Sequence, residues 1–192
     1  MPNHIYNIIT FPDCTEERRN EILNAVALED QGPGSMDFNK LIPMPEEVYK
    51  GPLGQKEREE YPGDLNWYDW SIEHWGTKWN AYDFELPPDG EGIVFHTAWS
   101  SVPKVLEVLS EKFPEVHMTY AWADEDFGSN TGRVEYEGGE VMGIYIPRDH
   151  SPEAYELAAD IQGLSIRDFG FDYGKNGEIV FTGDMPEGRE ER

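Results

Sequence analysis

At 192 residues with 13% aromatic side chains, the chain has the length of one domain and enough large rings to bury a core, which excludes wholesale disorder. Its acids outnumber its bases 39 to 15, a formal charge of -24, spread evenly: residues 1–96 sum to 7 minus 19 and residues 97–192 to 8 minus 20. A folded body so charged repels duplex nucleic acid and anionic membrane surfaces in most orientations, and a basic protein surface is the expected partner.

In chain order, His4 to Phe11 reads as an isoleucine-rich strand, and Thr15 caps a helix carrying Glu16 and Glu17 in its first turn and Ile22, Ala25 and Val26 on its apolar face. Gly32-Pro33-Gly34 stops the chain from continuing as helix, and Met36 to Leu41 reads as a second strand ending at Pro43. A Pro- and Gly-rich surface excursion follows from Met44 to Gly63, with a helical turn at Glu46 to Tyr49. Asp64 is the expected N-cap of a tryptophan-rich helix whose Leu65, Tyr68, Ile72 and Trp75 recur at helical spacing, with Gly76 as its left-handed terminus. Trp67, Trp70 and His74 form an adjacent stripe, so the apolar surface is wider than one contact requires.

Ala81 to Leu86 and Gly92 to Trp99 are expected to pair across the turn Pro87-Pro88-Asp89-Gly90-Glu91. Ser100 or Ser101 then caps a helix with Pro103 in its first turn and Val102, Val105, Leu106 and Leu109 on one side; Phe113-Pro114 ends it. Val116, Met118, Tyr120 and Trp122 alternate with smaller or polar residues, the pattern of a strand with one buried face. Gly132 to Glu137 and Glu140 to Ile146 form a hairpin around Gly138-Gly139, whose residues tolerate the positive angles of a tight turn. Ser151 and Pro152 open a last helix through Ile161, Glu178 to Thr182 adds a short strand, and Pro186 to Arg192 reads as a mobile tail.

Strand, helix, strand, twice over, is the split βαβ pattern. Three segments, Phe38-Asn39-Lys40-Leu41-Ile42-Pro43-Met44-Pro45, Trp75-Gly76-Thr77-Lys78-Trp79-Asn80 and Phe95-His96-Thr97-Ala98-Trp99-Ser100, resemble the YubB-like family of phage- and plasmid-borne proteins. The resemblance covers roughly residues 1–147 and implies a ferredoxin-like domain of a mobile genetic element, without an activity. The expected class is therefore α+β: a ferredoxin-like split βαβ sandwich over residues 1–147, with a Trp-rich helical insertion at about 44–80, extra C-terminal strands, and a helix-strand extension at 148–192 packed on the same domain.

Motifs for chemistry are absent. There is no Gly-x-x-x-x-Gly-Lys phosphate loop, no dinucleotide fingerprint, no Gly-x-Ser-x-Gly and no His-x-x-x-His or Cys-x-x-Cys spacing, so neither a catalytic residue nor a cofactor or metal is expected. The lone Cys14 excludes an intrachain disulfide; with no leader-like segment or 20-residue apolar run, a cytoplasmic protein is expected. A non-local site remains conceivable where the topology sets His4, His96 and His117 on three adjacent strands, provided they share one face and one level.

The candidate binding set is Trp75, Lys78, Trp79, Asn80 and Asp83, indoles beside a lysine and an amide, while Asp124, Glu125, Asp126, Glu135 and Glu137 form the candidate acidic surface. The expected function is that of a non-enzymatic accessory protein acting by protein–protein contact, its carboxylates imitating nucleic acid before a basic groove. The alternative is a small-ligand module or small enzyme with a pocket between the tryptophan insertion and the sheet.

Overall fold

A computed structural model describes residues 3–85, 87 and 92–183. Its centre is a six-stranded antiparallel sheet in the order β2-β3-β1-β4-β5-β6, built from β1 (His4–Thr10), β2 (Tyr82–Glu85), β3 (Gly92–Ala98), β4 (Met118–Asp124), β5 (Gly132–Glu137) and β6 (Glu140–Tyr145). The helices are α1 (Glu16–Val26), α2 (Gln55–Glu60), α3 (Trp67–His74), α4 (Pro103–Lys112) and α5 (Pro152–Ile161); a separate two-stranded ribbon, β7 (Phe171–Tyr173) with β8 (Ile179–Phe181), closes the described chain. Most of the predicted turn Pro87–Glu91 and the whole tail from Pro186 lie outside the described residues.

Period two sorts the strands into two faces. Ile5, Ile9, Ile93, Phe95, Met118, Tyr120, Trp122, Val134 and Tyr136 point inward and meet α1, α4 and the segment between α1 and β2 in one core. On the opposite face Ala121 and Ala123 are covered by Leu157, Ala158 and Ile161 of α5, with Tyr6 and Ile8 partly sheltered beside them. Helix α5 therefore packs on the second face of the sheet.

Several local signals hold. The Thr15 hydroxyl accepts from the Arg18 amide, the Ser151 hydroxyl accepts from the Ala154 amide, and Gly138 and Gly139 sit at φ 60° and 83° in the β5–β6 turn. Val102, Val105, Leu106 and Leu109 are fully buried as the face of α4, although Val102 itself occupies the cap position and no serine side chain caps it.

Other expectations are corrected. Residues 36–41 form no strand: the Asp37 carboxylate accepts from the Asn39 amide and turns Phe38–Lys40 into a single 3-10 turn. The second strand of the split βαβ unit is Tyr82–Glu85, so the excursion between α1 and that strand spans residues 27–81 rather than beginning near 44. The tryptophan helix starts later and faces otherwise than its spacing suggests. Asn66, not Asp64, is the N-cap, accepting from the Tyr68 and Asp69 amides, and this sets Trp70, Ser71 and Trp75 inside while Leu65 and Ile72 are exposed. Glu178–Thr182 supplies β8, which pairs with β7 and not with the main sheet.

A polar thread runs through the core. Asn7, fully buried in mid-strand, donates Nδ2 to the Ile5 carbonyl at 2.8 Å and to Thr97 Oγ1 at 3.0 Å, and its Oδ1 accepts from the Tyr120 hydroxyl at 2.6 Å. That hydroxyl in turn accepts from the Val102 amide at 2.8 Å, and Thr97 Oγ1 donates to the Ser100 carbonyl at 2.7 Å. Every buried group here has a partner, and the thread ties the start of α4 to three strands.

Burial raises the Tyr120 phenol far above its ordinary value, and burial followed by Glu107 pushes Tyr136 up to about 12. Groups with a raised folded value bind their proton more tightly in the folded chain, so their stabilisation is complete below the ordinary 10.0 and fades as pH climbs through about 12. The urea midpoint is expected to fall steadily above pH 10, and Tyr120→Phe to flatten that fall; a midpoint unaffected by alkali contradicts it.

Candidate functional site

The three segments distinctive in sequence meet in space. Phe38 lies edge-on to both Trp75 (ring centroids 5.7 Å apart) and Phe95 (6.0 Å), and Trp75 sits at right angles to Trp70 at 5.2 Å. Polar contacts fasten the same junction. Trp75 Nε1 donates to the Ile42 carbonyl at 2.9 Å, Thr77 Oγ1 donates to the Ala98 carbonyl at 2.7 Å, and Asn39 Oδ1 accepts from the Met44 amide at 3.1 Å. Asn80 Oδ1 accepts from the Phe38 amide at 2.9 Å while its Nδ2 donates to Asp37 at 2.7 Å. These residues clamp the 27–81 excursion onto the sheet, and the rings of Trp70 and Trp75 fill the space between them.

The predicted binding set therefore divides. Trp75 is buried and Asn80 is committed to loop geometry, whereas Lys78 and Trp79 lie half-exposed at the surface and Asp83 is exposed with φ 50°. Lys78 Nζ rests over the Trp79 ring at 4.4 Å and the Trp99 ring at 4.9 Å, a contact that holds the ammonium between two indoles. Trp99 was not among the predicted residues. Its exposed indole follows from φ 72°, a backbone state that turns the chain at the end of β3, and only the structure reveals that turn.

From Trp79 the aromatic strip continues onto the uncovered part of the sheet. Tyr82 lies 6.3 Å from Trp79, stacks near His96 at 6.1 Å and shares a 2.8 Å hydrogen bond with His4 Nδ1; Tyr6 stands edge-on to His96 at 5.7 Å. Burial, then Asp83 and Glu125, push the Tyr82 phenol up to about 12, and burial, then Glu85, raise that of Tyr6, so both are neutral hydrogen-bonding groups at physiological pH.

His117 does not join them. Thr10 pairs with Thr119, which places His117 at the far end of β1 from His4. Among the described residues no group of histidine, cysteine, aspartate and glutamate has the arrangement to hold a metal ion. Burial raises the Cys14 thiol, which favours its neutral, unreactive form.

The acidic set also needs revision. Asp124 is buried and structural, accepting from Asn3 Nδ2 at 3.2 Å, Asn130 Nδ2 at 3.1 Å and the Asp126 amide at 2.9 Å. Glu125, Asp126 and Glu137 are exposed and Glu135 is half-buried on the outer face of β5. Glu107 and Glu111, exposed on α4, extend the acidic side toward the β5–β6 turn, where Glu111 closes over Gly139. Many cations are meanwhile engaged: Arg18 pairs with Glu21 and Glu115, Lys40 with Glu29, Lys104 with Glu73 and Arg167 with Asp172, while Arg58 lies over Tyr68.

An open groove of about 780 Å³ lies on the α5 side of the sheet, walled by Arg133, Tyr145, Glu156, Asp160, Arg167 and Tyr173. It is remote from the tryptophan clamp and mixes both signs of charge.

The fold and this geometry define a ferredoxin-like α+β domain. Residues 74–165 match the family model described as the ferredoxin-like domain in Api92-like protein, a span running from the end of α3 through α5. The strand β1 and helix α1 that complete the split βαβ unit lie before the matched span. No curated protein and no solved structure matches the chain. No helix among the described residues is long and apolar enough to cross a membrane.

Proposed function

We propose that this chain is a non-enzymatic accessory protein of a mobile genetic element, phage- or plasmid-borne as its YubB-like resemblance implies, that acts by docking its acidic exterior on a basic protein surface. One observation carries the reading: a charge of -24 sits on a folded body in which Arg18, Lys40, Lys104 and Arg167 already pair with its own carboxylates and Arg58 and Lys78 lie on its own rings. The outward field is therefore that of the carboxylates, Glu107, Glu111, Glu125 and Glu137 among them, and its natural complement is a groove shaped to hold phosphates.

The small-ligand alternative draws less support, since Trp70 and Trp75 fill the junction that would have to open. What favours it is the Lys78, Trp79 and Trp99 patch, a flat surface suited to stacking.

The test is the affinity of the purified chain for nucleases, restriction enzymes and nucleic-acid-guided effector complexes across a salt series. Carboxylate-driven docking predicts a complex that weakens steeply as salt shortens the Debye length from about 10 Å at 0.1 M. Affinity that ignores salt, or no affinity in any such partner, removes the proposal.

A further inference from the structure

The outermost strand of the sheet is unlike a protected edge. In β6 and the residue after it, Val141 is 54% exposed, Met142 60%, Ile144 65%, Tyr145 44% and Ile146 59%. Among the described residues β6 pairs only with β5, so one side of its backbone is unclaimed. Edges left to solvent are usually blunted by a charge or proline within the strand, and contiguous apolar surface on a soluble body marks a contact site. In β6 the charge stands only at the first position, Glu140, and residues 141–146 carry neither a charge nor a proline. A bulge at Met142, itself one of the devices that guard an edge, interrupts the pairing with β5 and confines the regular, unguarded register to Gly143–Tyr145.

We infer that β6 is where two copies of this chain join edge to edge, antiparallel, to form one continuous sheet. Charge selects both the occupant and its direction. The uncharged run Val141–Pro147 is bracketed by Glu140 at one end and Arg148 at the other. An antiparallel second copy in the register that sets Ile144 opposite Ile144 brings Glu140 of each chain toward Arg148, just past the strand end, of the other, with apolar side chains against apolar side chains between them. Parallel pairing would set glutamate beside glutamate, which is destabilising. A basic partner finds no carboxylate within the run; the acids that would attract it, Glu107, Glu111 and Glu137, lie on α4 and the β5–β6 turn. The edge is therefore matched to itself, and the inference stands apart from the charge-driven docking proposed above.

Sedimentation of the full chain, 22.0 kDa per copy, tests it. The expected result is a dimer that Ile144→Lys converts to a monomer with an unchanged circular-dichroism spectrum, because that side chain is exposed within one copy. Glu140→Arg alone is expected to dissociate the dimer by setting arginine near arginine, and Glu140→Arg with Arg148→Glu to restore it. A wild-type chain that is monomeric at every concentration overturns the inference, as does a dimer indifferent to Ile144→Lys or a charge swap that fails to rescue. Amide-exchange protection of residues 140–146 that appears only on adding another protein would assign the edge to that protein and likewise overturn it.

Discussion

Trp75→Ala is expected to cost about 3–5 kcal/mol of folding stability, the range for truncating a buried aromatic. Total domain stability is typically about 5–15 kcal/mol, so the variant should sit close to unfolding at body temperature. The indole is wedged between Phe38 and Trp70, and its loss also strips the Ile42 carbonyl of its donor. Because these contacts join the 27–81 excursion to the sheet, urea unfolding should show a lower midpoint and, if the excursion detaches first, a smaller slope. Trp99→Ala is the matched control: its exposed ring contributes through Lys78, worth about 0.5–1 kcal/mol at a surface. Equal losses for the two variants would mean that the clamp does not hold the excursion in place.

Tyr120→Phe is the second large effect. Removing one hydroxyl leaves Asn7 Oδ1 and the Val102 amide buried without partners, at about 1–3 kcal/mol for each orphaned group. Asn7→Leu orphans the Tyr120 hydroxyl proton and one contact of Thr97 in the same way. Combining the two should cost less than the sum, since each change removes a group the other had stranded. Strict additivity in a double-mutant cycle would show that the thread is not energetically connected.

Much of the architecture was legible because it is written locally. Thr15 and Ser151 carry the side chains their caps need, Gly138-Gly139 accepts positive angles, and the four apolar residues of α4 recur at a single helical period. Where reading failed, a distant partner had decided the outcome. Met36 and Phe38 alternate with polar neighbours as a strand would, yet Asn80, more than forty positions on, holds Asp37 and the Phe38 amide in a turn. In helix α3 only Asp69 and Glu73 mark a clearly polar side and aromatic or aliphatic residues flank it on both edges, so periodicity did not single out the buried face; the cap at Asn66 and the ring of Phe38 chose it.

The candidate site shows the same division. Lys78 and Trp79 were visible as a local motif, while Trp99 joins them only through the turn after β3. His4 and His96 lie on the neighbouring strands β1 and β3, but His117 falls just before β4 rather than on it, and register separates it from His4 by the length of β1. The exposure of β6 is a property of where the sheet stops. Its sequence resembles any inner strand, and only the order of the strands reveals that nothing lies beyond it among the described residues.

The central claim is that carboxylates on the folded surface select a basic protein partner. Its most direct measurement is capture from the native cells with two baits, the unaltered chain and a variant carrying Gln at Glu107, Glu111, Glu125 and Glu137, each washed through rising salt. The account predicts that the unaltered chain retains one basic protein at low salt, releases it as salt rises, and that the variant retains it poorly from the outset. Equal retention by both baits, or a partner that withstands high salt, would contradict it.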